Sequence, residues 1–160
     1  YMSWEGSKTL RSYNLRCLKG LLVKSGITVS VSESCTGGEL ASALTSIPGS
    51  SKYFILGVVA YQTEMKEEIL KVSRETIRRF SVYSPQTAYE MARGVKELSG
   101  STLGISTTGE FNGKGYFYYC IYESEKKYKI GKINVEGNRE ESKARAVRFL
   151  ILEILKFLLA

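Results

Sequence analysis

The nine residues Tyr53-Phe54-Ile55-Leu56-Gly57-Val58-Val59-Ala60-Tyr61 limit the architecture more than any other stretch. A continuous apolar run of this length, rich in β-branched and aromatic residues, reads as a central strand covered on both faces. Such a strand needs a layer of helices above and another below. Helical periodicities alternate with short β-rich runs along the chain, followed by a hairpin and a closing helix. The expected fold is therefore α/β: a three-layer α/β/α sandwich on a mixed, mostly parallel five-stranded sheet.

In order, Leu10, Tyr13, Cys17, Leu18, Leu21 and Leu22 mark one face of a helix over Ser7 to Lys24, and Gly26 stops it. A strand follows over Ile27 to Ser32. A second helix starts near Leu40 and ends before Pro48-Gly49-Ser50-Ser51. After the 53–61 strand come a short helix with Ile69 and Leu70, a helix over Arg74 to Phe80, and a longer one announced by Ser84-Pro85 as N-cap and first helical residue. Ala88, Met91, Ala92, Val95 and Leu98 give its buried stripe. Thr102 to Ser106 is the third strand, leading to Thr107-Thr108-Gly109. Tyr116 to Tyr122 and Tyr128 to Val135 form a hairpin around Ser124-Glu125-Lys126, and Arg139 opens the last helix. With 160 residues and 43% hydrophobic content, residues 8–160 read as one domain. Residues 1–7 read as a disordered lead-in, with Tyr1 before Met2 as a residue added for expression.

The segment Val29-Ser30-Val31-Ser32-Glu33-Ser34-Cys35-Thr36-Gly37-Gly38-Glu39-Leu40 is where chemistry is expected. It reads as strand, tight turn and helix, and ligand sites of open α/β sheets gather at the carboxyl ends of strands. Glycines let a ligand approach the backbone, and the N–H groups of Gly37 and Gly38 could hold an oxyanion. The same residues also fit a capped helix, with Ser34 or Thr36 as N-cap and Glu39 in the first turn. On local pattern alone that is the more economical account.

The absence of histidine removes Ser-His-Asp and Cys-His arrangements and every His-ligated metal site. Cys17, Cys35 and Cys120 are too scattered for a C-x-x-C metal or redox motif, and a reducing cytoplasm is the simpler setting; no cofactor is expected. Cys17 and Cys120 read as small core residues, leaving Cys35 as the one reactive candidate. No run approaches membrane-spanning length and no signal-peptide layout is present. The net charge of +7 is spread along the chain. Lys126, Lys127, Lys129 and Lys132 lie across the hairpin as a solvated edge that discourages strand pairing, so nucleic acid is disfavoured as a partner.

A serine hydroxyl needs a base, and without imidazole a lysine kept neutral by burial can serve. Ser34 and Lys66 are the natural pair, since Gln62-Thr63-Glu64-Met65-Lys66 leaves the end of the second strand. A lysine beside Glu67 and Glu68 is ordinarily a solvated helix residue, and the residues by themselves leave that alternative open.

Glu33-Ser34-Cys35-Thr36-Gly37-Gly38, then Pro48-Gly49-Ser50-Ser51, then Gly57-Val58-Val59-Ala60-Tyr61 with Lys66 five residues on, closely resemble the carboxy-terminal domain of the competence-damage-inducible (CinA) family. The resemblance runs from about Leu15 to the end. It implies a cytoplasmic amidohydrolase that deamidates nicotinamide mononucleotide (NMN) to nicotinate mononucleotide by a metal-free Ser/Lys mechanism. On that resemblance Ser34 matches the nucleophile, Lys66 its general base, and Tyr61 a tyrosine of the same pocket. Thr36, Gly37 and Gly38 match the turn that lines it; Ser50, in the family's second matching element, and Thr108 and Gly109, where hydroxyls and a glycine meet at the end of the third strand, are further substrate-binding candidates. Gly137-Asn138-Arg139 resembles the family's G-D-R element, with Arg139 and Arg145 as candidates for the nucleotide phosphate; a surface arginine on a capped helix is the alternative for Arg145. Family members commonly self-associate, which makes a homo-oligomer an expectation.

Two departures bear on function. Thr108-Gly109-Glu110-Phe111-Asn112-Gly113-Lys114-Gly115 replaces the family's T-G-I-A-G-P and longer glycine-rich loop, and Val82-Tyr83-Ser84-Pro85 replaces V-S-E-P. They leave a second function open, a catalytically inactive nucleotide-binding or protein-interaction module of the same fold. DNA binding, suggested by the charge and the family's name, is a third and weaker idea.

Overall fold

The computed structural model describes residues 4–160. The elements are α1 (Trp4–Ser25), β1 (Val29–Glu33), α2 (Glu39–Leu44), a 3-10 turn at Ser50–Lys52, β2 (Phe54–Val59), α3 (Thr63–Glu68), α4 (Arg74–Phe80), α5 (Pro85–Ser99), β3 (Leu103–Glu110), β4 (Gly113–Ser124), β5 (Lys127–Gly137) and α6 (Arg139–Leu159). Of the expected lead-in, residues 1–3 lie outside the described residues. From Trp4 the backbone is already helical, since extending an existing helix costs far less than starting one.

The strands form one sheet in the order β2-β1-β3-β4-β5. Parallel ladders join β1 to β2 and to β3, and antiparallel ladders join β3 to β4 and β4 to β5. Leu15, Leu18 and Leu22 of α1, Leu40 of α2, and Leu150 and Ile154 of α6 bury one face against Val29, Val31 and Ile105. On the other face, Met91 and Val95 of α5 pack with Leu70 and Val72, and Ala88 and Ala92 meet Cys120 and Tyr122. Gly104 lets α5 lie directly on β3: a Cβ there would come within 2.0 Å of the Ala92 carbonyl oxygen. The three-layer α/β/α sandwich on a mixed five-stranded sheet is thus the observed fold.

Several local expectations are corrected. The 53–61 run is not central: β2 is an edge strand, with Ile55 and Val59 about half exposed. Its Leu56 and Val58 pack toward α5, whereas α2 has only six residues and covers only part of the opposite face. On α1 the buried face is Leu15, Leu18 and Leu22, set by packing against α6, and Leu10, Tyr13 and Cys17 are exposed. Leu98 of α5 is exposed as well. Thr107, Thr108 and Gly109 continue β3, because β4 pairs with them opposite Tyr119, Tyr118 and Phe117.

The lysines of β5 do lie on the other sheet edge. Ser84 caps α5, its hydroxyl accepting from the Thr87 N–H at 3.1 Å, with Pro85 in the first turn. Among the described residues no helix is long and apolar enough to cross a membrane.

Candidate active site

The turn after β1 is shaped by the residue before Ser34. Glu33 is fully buried and its carboxylate accepts from the N–H groups of Leu40 at 2.8 Å and Ala41 at 2.9 Å and from the Thr36 hydroxyl at 2.6 Å. A carboxylate at the positive end of a helix is favourably placed. The cap of α2 therefore comes from the preceding strand, and neither Ser34 nor Thr36 fills that role. The N-cap position itself is Gly38, at φ 100°, a conformation that favours glycine. Ser34 is left with its hydroxyl uncommitted to the helix.

β2 ends beside this turn, where the Ala60 N–H donates to the Glu33 carbonyl at 2.9 Å. Helix α3 then doubles back within a few residues, and Lys66 from its last turn is driven into the protein with 1% of its surface exposed. Lys66 Nζ lies 3.1 Å from Ser34 Oγ, 2.7 Å from the Ala60 carbonyl and 3.1 Å from the Tyr61 carbonyl. Among the described residues no carboxylate pairs with it, and burial lowers its pKa from 10.5 to about 8. A neutral amine has two N–H donors and one lone pair. The two carbonyls can take both donors, which leaves the lone pair to accept the Ser34 O–H. Protonated, the same nitrogen donates to all three oxygens, so either state fits without rearrangement.

The pair opens onto a cleft of about 150 Å³. This is below the roughly 300–1,000 Å³ of sites that enclose a drug-sized ligand, so it suits a head group with the rest of the ligand over the mouth. Its walls are Tyr61, Tyr83, the end of β3 and its link to β4 from Gly109 to Asn112, and Arg139 and Lys143 from the first two turns of α6. Tyr61 is 57% exposed, and its hydroxyl oxygen accepts from the Arg139 guanidinium at 3.4 Å. Arg139 also donates to Asn112 Oδ1 at 3.4 Å, and Asn112 donates to Glu110 at 2.7 Å.

Other expected residues fall elsewhere. Thr36 is fully buried behind the turn. The Gly37 N–H donates to the Ser34 carbonyl at 3.0 Å and is not available to an oxyanion; the N–H groups of Cys35, Thr36 and Gly38 have no acceptor among the described residues. Gly37, at φ 58°, instead gives passage to Lys143, whose Nζ would come within 3.0 Å of a Cβ at that position. Ser50 sits in the 3-10 turn, where its hydroxyl donates to the Thr45 carbonyl at 3.3 Å, away from the cleft. Thr108 is buried and donates to the Val82 carbonyl at 2.8 Å. Arg145 is committed to the end of β5, donating to the Glu136 carbonyl at 2.7 Å and pairing with Glu141 at 3.9 Å. Cys35 borders the cleft, but burial pushes its thiol up to about 12, which keeps it protonated and unreactive.

Sequence reasoning passes over Lys143, Glu110 and Asn112 as cleft residues and Thr107 as a support for the turn. The signal for Lys143 is its spacing: four residues after Arg139, it shares a helix face with it, whereas Arg145 is rotated away. Among the described residues no group of three His, Cys, Asp or Glu side chains is placed to hold a metal ion.

Residues 14–158 match the CinA C-terminal domain family. A CinA-like protein of Chlorobium phaeobacteroides is 39% identical over 147 residues, covering 84% of this chain and 34% of its own length. A CinA-like protein of Kosmotoga olearia is 36% identical over 139 residues, covering 82% and 34%. The chain thus spans about a third of the length of the curated relatives it matches. Among solved structures, a competence-damaged protein (CinA) superfamily protein from Escherichia coli superposes with TM-score 0.81 at 28% identity, covering 89% of this chain and 87% of that one. A competence/damage inducible protein from Agrobacterium tumefaciens superposes with TM-score 0.78 at 27% identity, covering 92% and 94%.

Proposed function

Since the chain belongs to the CinA C-terminal domain family, we propose that its cleft hydrolyses the carboxamide of a pyridine nucleotide, converting NMN to nicotinate mononucleotide and ammonia. The observation that carries this reading is the buried Lys66 amine 3.1 Å from Ser34 Oγ.

The reaction is set by the chemistry of the pair. Neutral Lys66 takes the hydroxyl proton as Ser34 Oγ attacks the amide carbon, giving a tetrahedral oxyanion. The N–H groups of Cys35, Thr36 and Gly38 in the turn are the donors at hand for that oxygen. Lys66 passes its proton to the departing nitrogen, ammonia leaves, and an ester on Ser34 remains. A water that gives up a proton to Lys66 attacks the ester, Lys66 returns that proton to the departing Ser34 oxygen, and the acid formed ionises to the carboxylate. Proton count and bonds balance, and no redox partner or metal enters the scheme.

Arg139 and Lys143 supply two positive charges on one wall of the cleft. A guanidinium fork beside an ammonium suits a phosphate oxygen cluster, which fits a substrate bearing the amide at one end and a phosphate at the other. Lys143 takes the place expected for Arg145. One observation favours the second reading, an inactive binding module: the short turn puts Glu110, Phe111 and Asn112 into the cleft wall. Ammonia release measured across NMN, nicotinamide riboside and NAD tests the proposal. Turnover of NMN supports it, and saturable NMN binding with no ammonia over hours supports the binding module.

A further inference from the structure

Behind the Ser34 turn lies a row of buried polar side chains that the reaction scheme leaves unused. Glu33, Thr36 and Thr107 all have 0% of their surface exposed. The Glu33 carboxylate takes two helix N–H groups and can only accept, so the Thr36 hydroxyl donates to it at 2.6 Å. With its one proton used, Thr36 Oγ1 accepts from Thr107 Oγ1 at 2.8 Å. That fixes the Thr107 hydroxyl as a donor on one side and leaves its lone pairs to the turn, where they receive the Ser34 N–H at 3.3 Å. The hydrogen bonds therefore run in one direction, from the turn through Thr107 and Thr36 to the carboxylate. Aligned chains ending on a charge polarise each link.

We propose that Thr107 is a positioning residue: its hydroxyl, polarised through Thr36 by Glu33, anchors the backbone of Ser34 so that Oγ faces Lys66. The inference rests on Ser34 and Lys66 acting as nucleophile and base. It places on β3 a group that holds the nucleophile without touching substrate, and it gives the buried Glu33 a part in the site besides capping α2.

The test compares Thr107→Val, which removes the hydroxyl, with Thr107→Ser, which keeps it; Thr107→Ala replaces valine if the valine variant does not fold. Two quantities are read: the rate at which a small fluorophosphonate labels Ser34, located by mass spectrometry, and kcat and KM for NMN. Thr107→Val is expected to lose about tenfold or more in labelling rate and in kcat, with KM within about twofold of the unsubstituted protein, and Thr107→Ser to retain both. A valine variant as reactive as the unsubstituted protein, or a serine variant as impaired as the valine one, overturns the proposal. If Ser34 is unreactive in the unsubstituted protein, the Ser34/Lys66 reading fails and the anchor is judged by hydrogen exchange of the Ser34 amide. Exchange about tenfold faster in Thr107→Val than in Thr107→Ser sustains the anchor, and equal exchange overturns it.

Discussion

Lys66 Nζ and Ser34 Oγ, separated by 32 positions in the chain, meet at 3.1 Å inside the protein. The contact joins the turn after β1 to the helix after β2, two neighbouring parallel strands whose carboxyl ends lie side by side. Burial without a carboxylate partner makes the amine a weak acid rather than a fixed cation, and both the chemistry and the pH behaviour of the protein depend on that.

Activity should rise with pH through about 8 as Lys66 loses its proton, and the ascending limb should vanish or move when Lys66 is replaced. The same shift acts on stability. Below pH 8 the lysine is charged in both states and the folded protein bears the full burial penalty. Between pH 8 and 10.5 the unfolded chain binds more protons, so stability rises with pH. Cys35 and Cys120, whose thiols burial pushes up to about 12, act in the opposite sense above pH 9. Denaturant unfolding of the unsubstituted protein against Lys66→Met isolates the lysine: relative to the variant, the unsubstituted protein should gain about 2–3 kcal/mol between pH 7 and pH 10.

The phosphate end of the substrate should be read by Lys143 and not by Arg145. Lys143→Ala is expected to raise KM for NMN about tenfold or more while leaving the weaker reaction with nicotinamide riboside nearly unchanged. Arg145→Ala, removing a guanidinium tied to the Glu136 carbonyl, should leave the ratio of the two substrates as it was. Steady-state kinetics on both substrates checks this.

Thiol titration distinguishes the cysteines. Cys17 is exposed, whereas Cys35 and Cys120 are buried and held protonated. At neutral pH the folded protein should release one equivalent of chromophore from an aromatic disulfide reagent quickly, and all three only in denaturant. Rapid modification of Cys35 in the folded protein would contradict the environment described for the turn.

The layer architecture is legible in the sequence because helical and β periodicities alternate cleanly, and the Ser34 turn because small residues interrupt a strand just before a helix. Phase and position are not. A run such as 53–61 has the same composition whether it is central or an edge strand packed on one face, and only the strand pairing decides, with β1 as the one neighbour of β2. Thr107 and Thr108 alternate across the sheet, so a shift of one residue exchanges the side chain behind the Ser34 turn for one tied to Val82. Lys143 and Arg145 differ by two positions on α6, enough to turn one toward the cleft and the other toward β5. Glu33 escapes sequence reasoning because a carboxylate ending a strand gives no local sign that a helix seven residues on will use it as a cap.

The central claim is tested most directly by ammonia release from NMN at pH 8 by the unsubstituted protein, Ser34→Ala and Lys66→Ala, each shown to be folded by its thermal transition. The account predicts steady ammonia production by the unsubstituted protein and a loss of about 1,000-fold or more in each variant, with the double variant no worse than either single one. Full activity in either single variant, or losses that multiply in the double, would contradict it.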